Sequence, residues 1–165
     1  MLFRSQIDYR LFRVNLPDPI PTQSPEKPSV RVLLSLEDGK APTRFRLFKA
    51  GHNETEKGVF TFSEKSQAEV LAAAARWGND FPIDYCHAML AAAWANDPSE
   101  AGKAAGHFTL AVESGELWAT NVQWTPAGRA KVEAKEFRYI SPAFDHESDG
   151  VICEITNVVY IRALY

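Results

Sequence analysis

The apolar positions of the chain follow two periods, and the change from one to the other divides it into elements. Arg44-Phe45-Arg46-Leu47-Phe48 alternates polar and apolar, the period of a half-buried strand. Val30-Arg31-Val32-Leu33-Leu34 reads as a strand before it, closed by a turn over Glu37-Asp38-Gly39-Lys40, and Val59-Phe60-Thr61-Phe62 as a short third strand. The period then lengthens. Val70, Leu71, Ala74 and Trp77 fall at helical spacing, Ser63 is placed to cap them and Gly78 to stop them. This predicts an amphipathic helix over residues 64–77.

Beyond the helix, Phe81-Pro82-Ile83-Asp84-Tyr85-Cys86-His87 reads as a strand, followed by an alanine-rich segment that fits no single period. Residues 104–112 and 116–124 read as two strands joined across Glu113-Ser114-Gly115, and Thr125-Pro126 opens a second helix over 126–134. Residues 137–144 and 151–161 form a hairpin around the acidic turn at 145–150. Local antiparallel connections dominate. The pattern predicts an α+β fold, mainly an antiparallel β-barrel, closed or partly closed, with helices packed outside. The four tryptophans are assigned to the core, with Trp118 and Trp124 on one face of their strand because their spacing is even.

Five of the ten prolines lie in residues 15–29, a stretch that supports neither helix nor central strand. Residues 1–29 therefore read as an N-terminal arm and extended connector, in which Leu11, Phe12 and Val14 offer apolar surface, and residues 30–165 as the compact domain. A net charge of −3, with basic residues scattered, gives no field for phosphate backbones and argues against nucleic acid as a partner. No apolar run approaches the ~20 residues of a membrane span, and the first residues lack the apolar core of a signal peptide, so a soluble intracellular protein is expected. Cys86 and Cys153 have no metal-ligand spacing, and no metal or organic cofactor is implied.

Phosphate-binding loops, His-Glu-x-x-His, Cys-x-x-Cys and Gly-x-Ser-x-Gly are all absent. What remains is a set of single residues. His87 ends a predicted strand, and by residue type alone it reads better as a histidine satisfied by a carbonyl than as a base. Asp84, three positions earlier, could be its partner but falls on the opposite face of the strand, and Cys86 is excluded by the same alternation. Ser141 precedes Pro142, which favours an extended backbone and removes the next N–H, so a nucleophile there would need oxyanion donors from elsewhere. Alone, it too reads better as a structural serine. His52 looks like a loop residue, His107 a strand residue and His146 part of a solvated turn.

Four ordered segments change the weighting. Phe81-Pro82-Ile83-Asp84-Tyr85-Cys86-His87, Glu116-Leu117-Trp118-Ala119, Val122-Gln123-Trp124-Thr125-Pro126-Ala127-Gly128 and Phe137-Arg138-Tyr139-Ile140-Ser141-Pro142-Ala143-Phe144 resemble, in that succession, the phage Mu type of prohead protease, the I protein family. The resemblance covers about residues 44–160. It implies an assemblin-like barrel and a serine endopeptidase that cleaves scaffold and capsid-assembly proteins, and itself, inside the immature capsid in the host cytoplasm. His87 would be the base and Ser141 the nucleophile. Asn157 would be the third group, orienting the histidine as an amide can, with Glu154 and Thr156 as alternatives. Scaffold and major capsid proteins would be its substrates, and a homodimer is expected by analogy with the assemblins. Two features depart from the family pattern: Cys86 stands where glutamate is more usual, and the C-terminus reads Tyr160-Ile161-Arg162-Ala163-Leu164-Tyr165 in place of a Thr-Asn-x-Pro-Ala-Leu ending, where relatives continue into a scaffold-like region.

Two other classes stay open on the residues. One is a non-catalytic capsid-assembly or scaffolding domain with a degenerate protease fold. The other is a barrel that binds a small ligand inside. Contact between Ser141 and His87 separates the protease from both.

Overall fold

A computed structural model of the protein describes residues 32–55, 57–85 and 104–161. Nine strands and two helices occur among them. In chain order they are β1 (Val32–Leu33), β2 (Phe45–Phe48), β3 (Gly51–Thr55), β4 (Gly58–Phe62), α1 (Glu64–Arg76), β5 (Phe81–Tyr85), β6 (Ala104–Glu113), β7 (Glu116–Trp124), α2 (Pro126–Glu133), β8 (Tyr139–His146) and β9 (Ile152–Ile161).

Seven of the strands form one sheet in the order β1-β8-β9-β5-β6-β7-β2, while β3 and β4 make a separate hairpin. Every pairing in the large sheet is antiparallel except β5 with β9. That one parallel pairing joins the β8–β9 hairpin to the β5-β6-β7-β2 part of the sheet. The sheet is curled. Its two end strands, β1 and β2, both line one groove of about 660 Å³, through Val32 and Leu33 on one side and Phe45, Arg46 and Leu47 on the other. The architecture is therefore α+β and mostly antiparallel, with a half-barrel sheet.

The core is one continuous cluster against the sheet. Phe48, Phe62, Phe108, Ile83, Leu117, Ile140 and Ile155 are fully buried in one continuous cluster. Phe81 stacks on Phe108, with ring centres 5.6 Å apart, and Phe144 meets the rings of Phe48 and Phe60 edge-on. The isolated pairing of Thr61 with Val151, through a Thr61 N–H bond to the Gly150 carbonyl at 2.9 Å, ties the β3–β4 hairpin to the turn before β9.

Helix α1 begins and ends where its sequence signals fall. Ser63 accepts from the Ser66 N–H, and at the other end Gly78, at φ 76°, closes a two-bond stop: its N–H reaches the Ala75 carbonyl and the Asn79 N–H the Ala74 carbonyl. Val70, Ala73 and Ala74 are its buried apolar residues, and the helix packs along β9. Helix α2 carries Pro126 in its first turn and is capped by Thr125, whose hydroxyl accepts from the Gly128 N–H.

The expectations for Trp77, for the shared face of Trp118 and Trp124, and for His52 as a loop residue fail. Trp77 is not in the core: it is 67% exposed, it donates its indole N–H to the Glu154 carboxylate at 3.1 Å, and it walls a groove of about 320 Å³. Being the last residue before the glycine stop, it sits where α1 turns away from the sheet. Trp118 and Trp124 do not share a face. Between the pairs His107–Gln123 and Thr109–Thr120, β7 holds one residue more than β6, and Asn121 takes φ 51°. This bulge reverses the alternation. Trp124 turns inward and bonds the Pro42 carbonyl at 2.7 Å, while Trp118 stays on the other face beneath the Arg44 guanidinium. His52 belongs to β3 rather than a loop, bonding Thr61 across the hairpin at 3.1 Å, and His146 closes β8 with its ring 4.7 Å from that of Phe60.

Candidate functional site

Ser141 lies in β8, one residue beyond the last pairing with β1. Its neighbours in sequence, Ile140 and Pro142, face the core, and Pro142 pairs with Val158, itself fully buried. Strand alternation then turns Ser141 to the opposite face of the sheet. It is nonetheless only 1% exposed.

The ladder extends this position across three strands. Ser141 pairs with Val159 of β9, and Val159 pairs with Asp84 of β5. Ser141 and Asp84 thus stand in one row with a single strand between them. The alternation of β5 agrees: Phe81 and Ile83 join the core and Tyr85 packs against it, so Asp84 points to the same face as Ser141. Asp84 is 0% exposed. Two buried polar side chains therefore share one row on the face away from the core.

Asn157 stands opposite Ala143, two residues along β8 from Ser141, so the sheet places its backbone one step from the serine row. The two alternatives for the third group have other partners. The Glu154 carboxylate accepts from the Trp77 indole, and the exposed Thr156 hydroxyl donates to the Ala143 carbonyl at 3.1 Å.

His87 lies outside the described residues, as does Cys86. The other three histidines are accounted for, and none adjoins Ser141. His146 is five positions along β8, roughly 17 Å away at strand spacing. His107 is on β6, three strands across, with its ring 3.4 Å from the exposed Asp80 carboxylate. His52 is on the separate hairpin. At Cys153, burial, then the charges of Asp145 and nearby glutamates, pushes the thiol above the ordinary 9.0, which disfavours the thiolate. Among the described residues no group of three or more His, Cys, Asp or Glu is placed to hold a metal ion.

A family model described as Mu-like prophage I protein, N-terminal domain, matches residues 45–161. The chain belongs to the Mu-like prophage I protein family. The match begins at β2 and ends with β9, so it spans every strand of the half-barrel except β1, and includes Asp84, Ser141 and Asn157. No curated protein and no solved structure matches the chain.

Strand alternation over residues 81–87 sets Asp84 apart from His87; the structure describes β5 to Tyr85 and places Asp84 in the row of Ser141. The signal was present in the sequence as a carboxylate inside an otherwise apolar strand, Phe81-Pro82-Ile83-Asp84-Tyr85. A charge at such a position has to be compensated to be tolerated.

Proposed function

We propose that this I protein domain is a serine endopeptidase of phage prohead maturation, with Ser141 as nucleophile and His87 as base. The observation that carries the reading is the row from Ser141 to Asp84, because it sets the serine segment one strand away from the strand that leads to His87. Of the four histidines, His87 is the one next to β5 in sequence, two residues after Tyr85, and the other three are positioned elsewhere. Membership of a prophage family supports the capsid setting. Scaffold and major capsid proteins are the substrates in this reading, and the active form is a homodimer. The half-barrel is an assemblin-like barrel open at the β1–β2 seam.

The chemistry needs few parts. As Oγ of Ser141 bonds to the scissile carbonyl carbon, its proton passes to the imidazole, and the carbonyl π pair becomes the oxyanion. The imidazolium then gives that proton to the leaving amine, the C–N bond breaks, and water repeats the sequence on the acyl-enzyme. Because Pro142 has no N–H, the oxyanion donors come from other groups. Asn157 is the expected orienting group.

One observation favours a second reading. A nucleophile must be reached by its substrate, and Ser141 is almost wholly covered. That burial suits a non-catalytic capsid-assembly domain in which Ser141 is a structural serine.

Treatment of the full chain with a fluorophosphonate, followed by intact-mass analysis and peptide mapping, separates the two. The protease reading expects one adduct, on Ser141, absent from Ser141→Ala and from His87→Ala. A folded chain that takes no adduct, at concentrations high enough to dimerise, would establish the second reading in its place.

A further inference from the structure

We infer that the groove walled by Trp77 is a docking site for an arginine side chain on a partner protein. The inference does not use the serine row and stands apart from the peptidase reading.

The first argument is the state of Trp77. At 67% it is the most exposed of the large apolar side chains among the described residues. Yet the residue is held at both ends. Its backbone N–H bonds the Ala74 carbonyl at 3.1 Å in the last turn of α1, and its indole N–H bonds the Glu154 carboxylate at 3.1 Å. An indole fixed at its edge keeps its π surface for another group. A ring that is already ordered also loses little freedom on binding, which is why tryptophan recurs as an anchor at interfaces.

The second argument is charge. Asp80 and Glu154 line the groove, and among the described residues no lysine or arginine does, although Arg76 precedes Trp77 in the chain. Glu154 accepts from an indole, which is neutral. Asp80, 68% exposed, lies 3.4 Å from the ring of His107, which carries charge only when protonated. The groove therefore sets negative charge beside an aromatic wall. A guanidinium suits both, because it stacks on an aromatic face and forks two N–H donors onto a carboxylate. An ammonium is a point charge and lacks the fork.

The third is shape. Phe81, Pro82 and Ile155 also line the groove, so an arginine stem lies on apolar surface while its head reaches the carboxylates. A volume of about 320 Å³ is at the lower end for ligand sites, the size for one long side chain. Strand addition is ruled out here. β5 lies between β9 and β6, and β9 between β8 and β5, so neither offers a free edge to a peptide backbone. The partner has to be held by its side chain. The groove residues of β9 are three to five positions from Val159, roughly 10–17 Å along the strand from the serine row.

The test is an NMR titration of the full chain with short blocked peptides, neutral but for one central arginine, lysine or glutamate. It is read at the Trp77 indole N–H, which Trp77→Phe assigns. The arginine peptide should shift this signal with a Kd of about 1 mM, an affinity suited to one side chain. The lysine peptide should bind at least about threefold more weakly, and the glutamate peptide should leave the signal in place. Asp80→Asn and Glu154→Gln should each weaken arginine binding about fivefold or more. Asp80 is at the surface, so its variant folds whatever Glu154→Gln does. An indole signal that the arginine peptide does not move at about 20 mM overturns the inference. Equal binding of the arginine and glutamate peptides, or undiminished binding in Asp80→Asn, does the same. A signal that moves when the chain alone is diluted would assign the groove to a second copy of this chain and overturn the choice of partner. Fluorophosphonate labelling at Ser141 bears on none of these outcomes, so the two readings fail separately.

Discussion

Gly128 lies so close to the backbone of Ala105 that a Cβ built on it would sit 2.0 Å from the Ala105 carbonyl oxygen. The same oxygen accepts from the N–H of Thr125 at 2.9 Å and from its hydroxyl at 3.0 Å. One strand carbonyl thus seats the first turn of α2 against β6. Any side chain at 128 would push the helix off that seat, and the obstacle is backbone, which cannot rotate away. Gly128→Ala should destabilise the domain by about 3 kcal/mol or more, at the upper end of overpacking. Urea unfolding followed by tryptophan fluorescence would measure it, and a loss below about 1 kcal/mol would show that the seat is looser than its geometry implies.

A second backbone mimic sits at the end of α1. The side chain of Asn79 accepts from the Leu110 N–H at 2.8 Å and donates to the Leu110 carbonyl at 3.1 Å, copying a strand pairing with its amide. Asn79 also adopts φ 50°, which asparagine tolerates better than most residues. Asn79→Ala removes both bonds and leaves two strand groups to find other partners, so it should cost about 2 kcal/mol. Asn79→Asp keeps an acceptor for the Leu110 N–H but sets a carboxylate against the carbonyl. It should be no better than alanine in the same unfolding measurement.

These two contacts mark where the sequence could be read and where it could not. Local punctuation was legible: Ser63 and Gly78 bracket α1, Thr125-Pro126 opens α2, and the β6–β7 and β8–β9 hairpins fall at the expected turns. Non-local pairing was not. Nothing along the chain announces that β5 runs parallel beside β9, because that neighbour is decided by how the whole sheet curls. The row joining Ser141 to Asp84 depends on that pairing, so a carboxylate set aside by strand alternation joins the row of the serine only in three dimensions. The family, by contrast, was legible from ordered segments such as Tyr139-Ile140-Ser141-Pro142, and the match over residues 45–161 bears it out. Asn121 shows the same limit on a smaller scale, for one extra residue in a strand invalidates every even-spacing argument across it.

That bulge makes its own prediction. Asn121 holds φ 51° and donates its amide to the Thr109 hydroxyl at 3.0 Å. A β-branched residue resists a positive φ, so Asn121→Val should destabilise the domain by about 1–2 kcal/mol. Asn121→Gly accepts the backbone freely and loses only an exposed hydrogen bond, so it should stay within about 0.5–1 kcal/mol of wild type. Equal losses in the two variants would mean that the side-chain bond, and not the backbone angle, maintains the bulge that turns Trp124 inward.

The Cys153 thiol offers a test through pH. Burial raises it above 9.0, and the negative charges of Asp145, Glu69, Glu147 and Glu154 raise it further. At neutral pH the protonated thiol dominates, and the thiolate is the form that reacts. Iodoacetamide should therefore modify Cys153 in the native chain several-fold more slowly than in the urea-unfolded chain at pH 7.5, as read by peptide mapping. The linkage has a definite sign. A pKa raised on folding contributes stability that is fully present below the unfolded value and is lost as pH rises through the folded one. Cys153→Ser should accordingly flatten part of the alkaline fall in stability above pH ~9 and leave the acid limb unchanged. A native thiol that alkylates as fast as the unfolded one would show that neither burial nor the surrounding carboxylates governs it.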